Sequence, residues 1–209
     1  SIRSLGICLR EVAHLEEAVR KILDMARTHP PLRVETSLHE TLSEAVVLLG
    51  TQLDSRGVEV RMNLDAQEDL VLADPEELKS VFVNLLVNAE EAMPHGGVVH
   101  VNTEHPHGPE PAETIRVEVS DEGVGVPEEA RDQIFRPFVT TKTEGTGFGL
   151  AVARLAVQDH EGRLWLKSGA EAAGQDSAGA TFLIELPLHR PPGIDDPHSE
   201  AAEAEERAS

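Results

Sequence analysis

The 209-residue chain contains no tyrosine, one tryptophan and five phenylalanines. A groove that stacks nucleic-acid bases needs aromatic platforms set among basic residues. Basic residues are scarce as well: 18 Lys and Arg stand against 38 Asp and Glu, a formal net charge of −20. A chain of that charge repels a phosphate backbone, which excludes nucleic acid as a partner. Cysteine is limited to Cys8, so an internal disulfide and a thiolate metal cluster are both excluded, and a reducing, cytoplasmic compartment is expected. No apolar run reaches the ~18–20 residues that cross a bilayer. The N-terminal SIRSLGICLR also lacks the apolar core of a signal peptide. No membrane contact by this chain is expected, which leaves open an anchor elsewhere in a longer parent protein.

What is present divides the chain into three. Leu5, Cys8, Val12, Leu15, Val19, Ile22 and Ala26 recur at alternating spacings of three and four, an a/d seam that predicts one helix over residues 4–27. Leu9 and Leu23 widen its stripe, as in a helix bundle. His29-Pro-Pro31 stops that helix, since a residue before proline is pushed out of the helical region. Residues 32–188 then mix helix and strand. Helices are expected over 39–55, from Asp74-Pro75 to about Met93, and from Gly145 onward; strands are expected over 58–64, 98–103, 114–120, 162–168 and 179–187. Residues 98–103 and 114–120 read as a hairpin with a long HPHGPEPA tip. From His189 to Ser209 the chain is rich in Pro, Glu, Ala and Asp and is expected to be a disordered tail.

Candidate chemistry sits where these elements meet. Asn84 and Asn88 are four apart and share one face of a helix; two amides so placed suit either a solvated surface or a magnesium ion, for which an amide oxygen is a hard neutral ligand. Asp121-Glu-Gly123-Val-Gly125 follows a strand. It is either an ordinary turn or a carboxylate that accepts an exocyclic amine beside glycines that admit a flat ring. Phe135 and Phe138 flank Pro137 as a hydrophobic anchor for a mobile loop, and Lys142 beyond them can reach a phosphate. Gly145-Thr146-Gly147-Phe148-Gly149-Leu150 opens a helix with three alternate glycines, which brings backbone N–H groups onto an anion. His95, His100, His105 and His107 lack the tight spacing of a structural metal site.

In this order and spacing, with Gly179-Ala-Thr181-Phe completing the set, the motifs closely resemble the ATP-binding catalytic domain of sensor histidine kinases, most of all its nitrogen-regulator subgroup. The resemblance implies the Bergerat fold, shared with gyrase, the Hsp90 chaperones and MutL: an α+β protein built as a two-layer α/β sandwich, here preceded by a long helix. It implies that Asn88 binds magnesium and that Asn84 lies beside the triphosphate. Asp121 would receive the adenine amine, with Gly123 and Gly125 as pocket wall and Thr181 supporting the base through the Asp121 network. Lys142 would approach the terminal phosphate, and Gly145, Thr146, Gly147, Phe148, Gly149 and Leu150 would line the phosphates. Many relatives carry Lys or Arg where this chain has Glu91, so magnesium and Lys142 would neutralise more of the charge.

Residues 1–31 resemble the second helix of the family's dimerisation and phosphoacceptor hairpin, which implies a homodimer through that helix. The first helix, with its H-E-x-x-x-P-like acceptor motif, has no counterpart, and His14 reads as a solvated helix histidine. The chain is thus expected to be part of a longer kinase. It would transfer the ATP γ-phosphoryl to a histidine on a helix absent from this sequence, and thence to an aspartate of a response regulator receiver domain. The alternative is a nucleotide-binding regulatory or dimerisation module without transfer. Gyrase-like and Hsp90-like relatives place a glutamate base where this chain has Asn84, which argues against water activation.

Overall fold

The structure, a computed structural model, describes residues 32–106, 112–140, 147–167 and 179–190. Strand β1 (Val34–Ser37) runs into helix α1 (Leu38–Arg56), and Ser37 closes the junction as N-cap, its Oγ accepting from the Glu40 N–H at 3.2 Å. Gly57, left-handed at φ 68°, reverses the chain into β2 (Val58–Leu64). After β3 (Leu70–Ala73), Asp74 caps helix α2 (Pro75–Ala92). Its Oδ1 accepts from the Glu76 and Glu77 N–H groups at 3.0 and 3.3 Å. Strands β4 (Gly97–Glu104) and β5 (Thr114–Asp121) follow, then the one-turn α3 (Glu128–Arg131), helix α4 (Gly149–Asp159) and strands β6 (Arg163–Leu166) and β7 (Thr181–Pro187).

Among the described residues five strands form one sheet in the order β2-β4-β5-β7-β6, with β2 and β4 parallel and the other pairs antiparallel. The β4–β5 pair is the expected hairpin, with Val99 opposite Asp121 and Glu104 opposite Arg116. One face is buried under helices. Val99, Val101, Ile115, Val117, Val119, Ile184 and Leu186 of the sheet meet Leu42, Ala45 and Leu49 of α1, Leu78, Phe82, Leu85 and Leu86 of α2, and Ala153 and Val157 of α4. The other face carries charge: Arg116 pairs with Glu185 at 2.6 Å, Lys167 pairs with Glu118 at 3.0 Å, and Arg116 and Arg163 lie over the Trp165 ring. Strands that alternate apolar and charged residues need one covered face and one wet one. The result is the expected two-layer α+β sandwich.

Three elements go beyond the sequence-based expectation. β1 and β3 form a separate two-stranded antiparallel ribbon, and α3 is a single turn. Helix α4 starts at Gly149 rather than Gly145, because Gly147 at φ 68° cannot belong to a right-handed helix. His189 and Arg190, assigned by composition to the tail, are held in place: the His189 N–H donates to the Leu70 carbonyl at 2.7 Å, and Arg190 reaches Glu68 and the Ala112 carbonyl. The expected helix over residues 4–27, with Cys8 and His14, and the rest of the tail lie outside the described residues.

Candidate functional site

Helix α2 supplies the first wall. Leu78, Val81, Phe82, Leu85, Leu86 and Ala89 are buried, so the half-buried Asn84 and Asn88 fall on the flank that faces α4. The Asn84 Nδ2 donates to the Ser80 carbonyl at 2.8 Å, which fixes the amide with its oxygen outward. That oxygen points at the first residue of α4: a Cβ placed on Gly149 would stand 3.0 Å from Asn84 Oδ1 and 3.9 Å from Asn88 Nδ2. The sequence-predicted asparagines and the last of the three alternate glycines are therefore neighbours. Phe148, the N-cap of α4, offers no side-chain hydrogen bond to the first N–H groups of the helix, and that end, with the positive pole of its dipole, lies beside the asparagines. The one basic residue of α2, Lys79, is committed elsewhere. Its hydrogen bonds to Glu76 at 2.7 Å and Glu44 at 3.0 Å raise its pKa, Glu76 contributing most, and Glu91 is an exposed acid.

The second wall is the end of β5. Asp121 is buried, and its Oδ1 accepts from the Gly123 N–H at 2.8 Å and the Ala180 N–H at 3.3 Å. The Asp121 N–H in turn donates to the Ala180 carbonyl at 2.9 Å. Gly123 packs on the end of α2: a Cβ there would lie 2.7 Å from Ala92 Cβ, and the Val124 N–H donates to the Ala92 carbonyl. Its glycine is thus demanded by helix packing as well as by any ligand. Gly125 is left-handed at φ 71°. Thr181 sits opposite Ser120 in the sheet, and the two hydroxyl oxygens are 2.8 Å apart. Ala180, whose N–H reaches the Asp121 carboxylate, is the residue before Thr181.

The third wall is the segment from α3 to α4. Phe135 packs edge-on against Phe182 at 6.3 Å and lies under the Arg154 guanidinium at 4.9 Å. Phe138 behaves differently from the expected anchor: it is 71% exposed, left-handed at φ 67°, and its ring meets that of buried Phe148 edge-on, with centroids 4.6 Å apart. The left-handed turn brings its backbone against Gly147, where a Cβ would stand 2.7 Å from the Phe138 carbonyl carbon. Leu150 packs against the core. Lys142, Gly145 and Thr146 lie outside the described residues.

Two contributors were given no role of their own from sequence. Gly179 makes the tightest backbone approach at the site, because a Cβ there would be 1.7 Å from the Asp121 carbonyl oxygen. Its signal was present in the Gly-Ala-Thr-Phe run. Ser120, the hydroxyl partner of Thr181, carries no motif and is found only through strand register.

Residues 73–190 match the histidine kinase-, DNA gyrase B- and HSP90-like ATPase family, and the chain belongs to that family. It is 38% identical over 175 residues to sensor protein FixL of Bradyrhizobium diazoefficiens, covering 82% of this chain and 32% of that protein. It is 32% identical over 183 residues to sporulation kinase A of Bacillus subtilis, covering 87% of this chain and 28% of the relative. The chain thus spans about a third of the length of these curated relatives. A solved catalytic domain of histidine kinase ThkA superposes with a TM-score of 0.64 at 30% identity over 75% of this chain and 95% of that one. ThkA in complex with response regulator protein TrrA gives a TM-score of 0.70 at 26% identity, over 90% of this chain and 51% of that one.

Proposed function

We propose that the chain is the ATP-binding catalytic portion of a two-component sensor histidine kinase, which delivers the γ-phosphoryl of ATP to a histidine on a separate helix and thence to an aspartate of a response regulator. The observation that carries the reading is the juxtaposition of Asn84 and Asn88 with the uncapped start of α4 at Gly149. Backbone donors at a helix start bind phosphate oxygens, and amide oxygens beside them suit the cation that accompanies a triphosphate. Asn88 would hold magnesium and Asn84 would flank the phosphates. A magnesium ion held there would supply neutralisation of the triphosphate's charge.

The other roles follow from the walls. Asp121, anchored through Oδ1, would accept the adenine amine, with Gly125 beside the base. Gly123 would complete that wall, and Thr181, bonded to Ser120, would brace the strand that Asp121 terminates. The N–H groups of Gly147, Phe148, Gly149 and Leu150, with Gly145, Thr146 and Lys142, would cover the phosphates. With Lys79 turned away and an acid at Glu91, α2 adds no cation to them. Transfer forms a bond from an imidazole nitrogen to the γ-phosphorus and breaks the bond to the bridging oxygen, which leaves with ADP. The chain's part is to hold the donor in line.

The acceptor is not among the described histidine–glutamate pairs. His39-Glu40 and His160-Glu161 have Glu44 and Trp165 where an H-E-x-x-x-P pattern needs proline. The His39 Nε2 is engaged with Thr103 Oγ1 at 2.9 Å, and the His160 Nε2 with the Asp74 N–H at 2.9 Å. The test uses γ-labelled ATP with magnesium. The chain alone should gain no acid-labile phosphate, and addition of a polypeptide carrying the acceptor helix should give labelling that passes to a receiver domain. Binding of ATP by calorimetry without transfer in any combination would favour a regulatory nucleotide-binding module instead.

A further inference from the structure

Helix α4 meets the candidate nucleotide site at its Gly149 end and is fastened at the other. At its far end the Arg33 guanidinium, two residues into the described chain, donates through Nη2 to the Asp159 carbonyl and through Nη1 to Glu161 Oε1 at 2.8 Å. A cation on the last carbonyls of a helix satisfies acceptors that have no intrahelical partner. Glu161 is held at φ 61°; among the described residues it and Phe138 are the only non-glycine residues with left-handed backbone. Such a conformation persists where the surroundings impose it. Glycine, which adopts it without penalty, has no carboxylate to offer Arg33. Next to it His160, buried, accepts from the Asp74 N–H at 2.9 Å and donates through Nδ1 to the Ala156 carbonyl at 2.6 Å. The end of α4 is therefore joined both to the start of α2 and to the chain as it enters the domain.

Resting on the ATP reading above, we propose that Arg33 and Glu161 are positioning residues: they tie the entering chain to α4, so that nucleotide affinity depends on how that chain is held. Eleven residues of helix form a rod about 16 Å long. Ala151, Ala153 and Val157 seat it on the core. A displacement of its Asp159 end is carried to Gly149, where no side chain separates the helix from Asn84. Binding at one end and restraint at the other are then reciprocally linked.

The experiment titrates ATP with magnesium into the whole chain and three variants, with amide hydrogen exchange of each. Arg33→Ala and Glu161→Gly should each weaken ATP about three- to tenfold, a range set by the modest strength of a partly exposed ion pair plus a charge-assisted bond to a carbonyl. The melting temperature of Glu161→Gly should be no lower than that of the parent, since glycine relieves the backbone. The double variant should be no weaker than the worse single one. Exchange should quicken at both the Ala156–Glu161 and Gly149–Val152 ends of α4. Unchanged affinity in both single variants, additive losses in the double variant, or quickened exchange confined to the Asp159 end would each overturn the tie. If the parent chain takes up no ATP, the ATP reading fails separately, and the exchange pattern alone decides whether the two ends of α4 are coupled.

Discussion

The two sides of the candidate site are built to different standards. Helix α2 is capped by Asp74, opens with Pro75, and buries seven residues along its 18-residue length. Across from it α3 has four residues, no side-chain cap and no buried residue. The chain then passes through Phe138, exposed and left-handed, before α4 begins. A fixed wall holds Asn84, Asn88 and Asp121 in place, so that, were they to bind the proposed nucleotide, they would lose little freedom in doing so. A wall with few buried contacts is drawn from the low-stability end of a fold and can adjust around a triphosphate. On the ATP reading proposed above, the contrast would give recognition to the α2 and β5 side and coverage to the α3 side.

Cutting into the fixed wall should have the largest effect. Leu85 is 1% exposed on α2, and Leu85→Ala should cost about 2–5 kcal/mol, the range for a buried leucine whose site collapses only partly. Urea unfolding of parent and variant reads the difference, and a loss under about 1 kcal/mol would mean that α2 is not the rigid side.

Next comes recognition without loss of the wall. In Asp121→Asn the side chain keeps an oxygen for the Gly123 and Ala180 N–H groups, so the fold should survive. The charge that would accept the adenine amine is gone. ATP affinity should drop about tenfold to a hundredfold, the equivalent of one hydrogen bond to a charged group. Calorimetry with ATP and GTP checks it: identical binding of parent and variant to both would remove Asp121 from base recognition.

A smaller effect is expected at the cap. Asp74→Ala removes the acceptor of the Glu76 and Glu77 N–H groups and should cost about 1 kcal/mol. Thermal melting reads this. An unchanged midpoint would show that the bond from the Asp74 N–H to His160 secures the α2 terminus by itself.

How far the sequence could lead follows the same division. The Asp74-Pro75 start of α2 and the alternation of β4 and β5 are local signals, carried by neighbours in sequence, and the structure has both; the Asn84, Asn88 pair is equally local, and lies on α2 beside Gly149. β1 and β3 are only four residues each and pair with one another, Val34 against Ala73, so no local period marks them. The α4 start was displaced because alternate glycines announce freedom of conformation without saying which of them turns left-handed. Arg33 and Glu161 stand 128 positions apart, and nothing in either local sequence announces that they meet. The motif residues indicated which chemistry to expect; the supports that hold α4 became visible only through tertiary contact.

The smallest effect bears most directly on the adjustable wall. Phe138 has a left-handed backbone, which costs a residue with a side chain roughly 1 kcal/mol or more, and its ring returns part of that through contact with Phe148. Phe138→Ala removes the ring and keeps the backbone cost, so it should destabilise by about 1 kcal/mol. Phe138→Gly also loses the ring but removes the backbone cost, at the expense of a more flexible unfolded chain worth about 0.5–1 kcal/mol. The glycine variant should therefore melt no lower than the alanine variant, by a margin of zero to about 4 °C for a domain of this size. Comparing the two small residues cancels the lost aromatic contact and isolates the backbone. An alanine variant clearly more stable than the glycine one would show that residue 138 relaxes out of the left-handed region in solution, and the α3 side would then be looser than its static geometry describes.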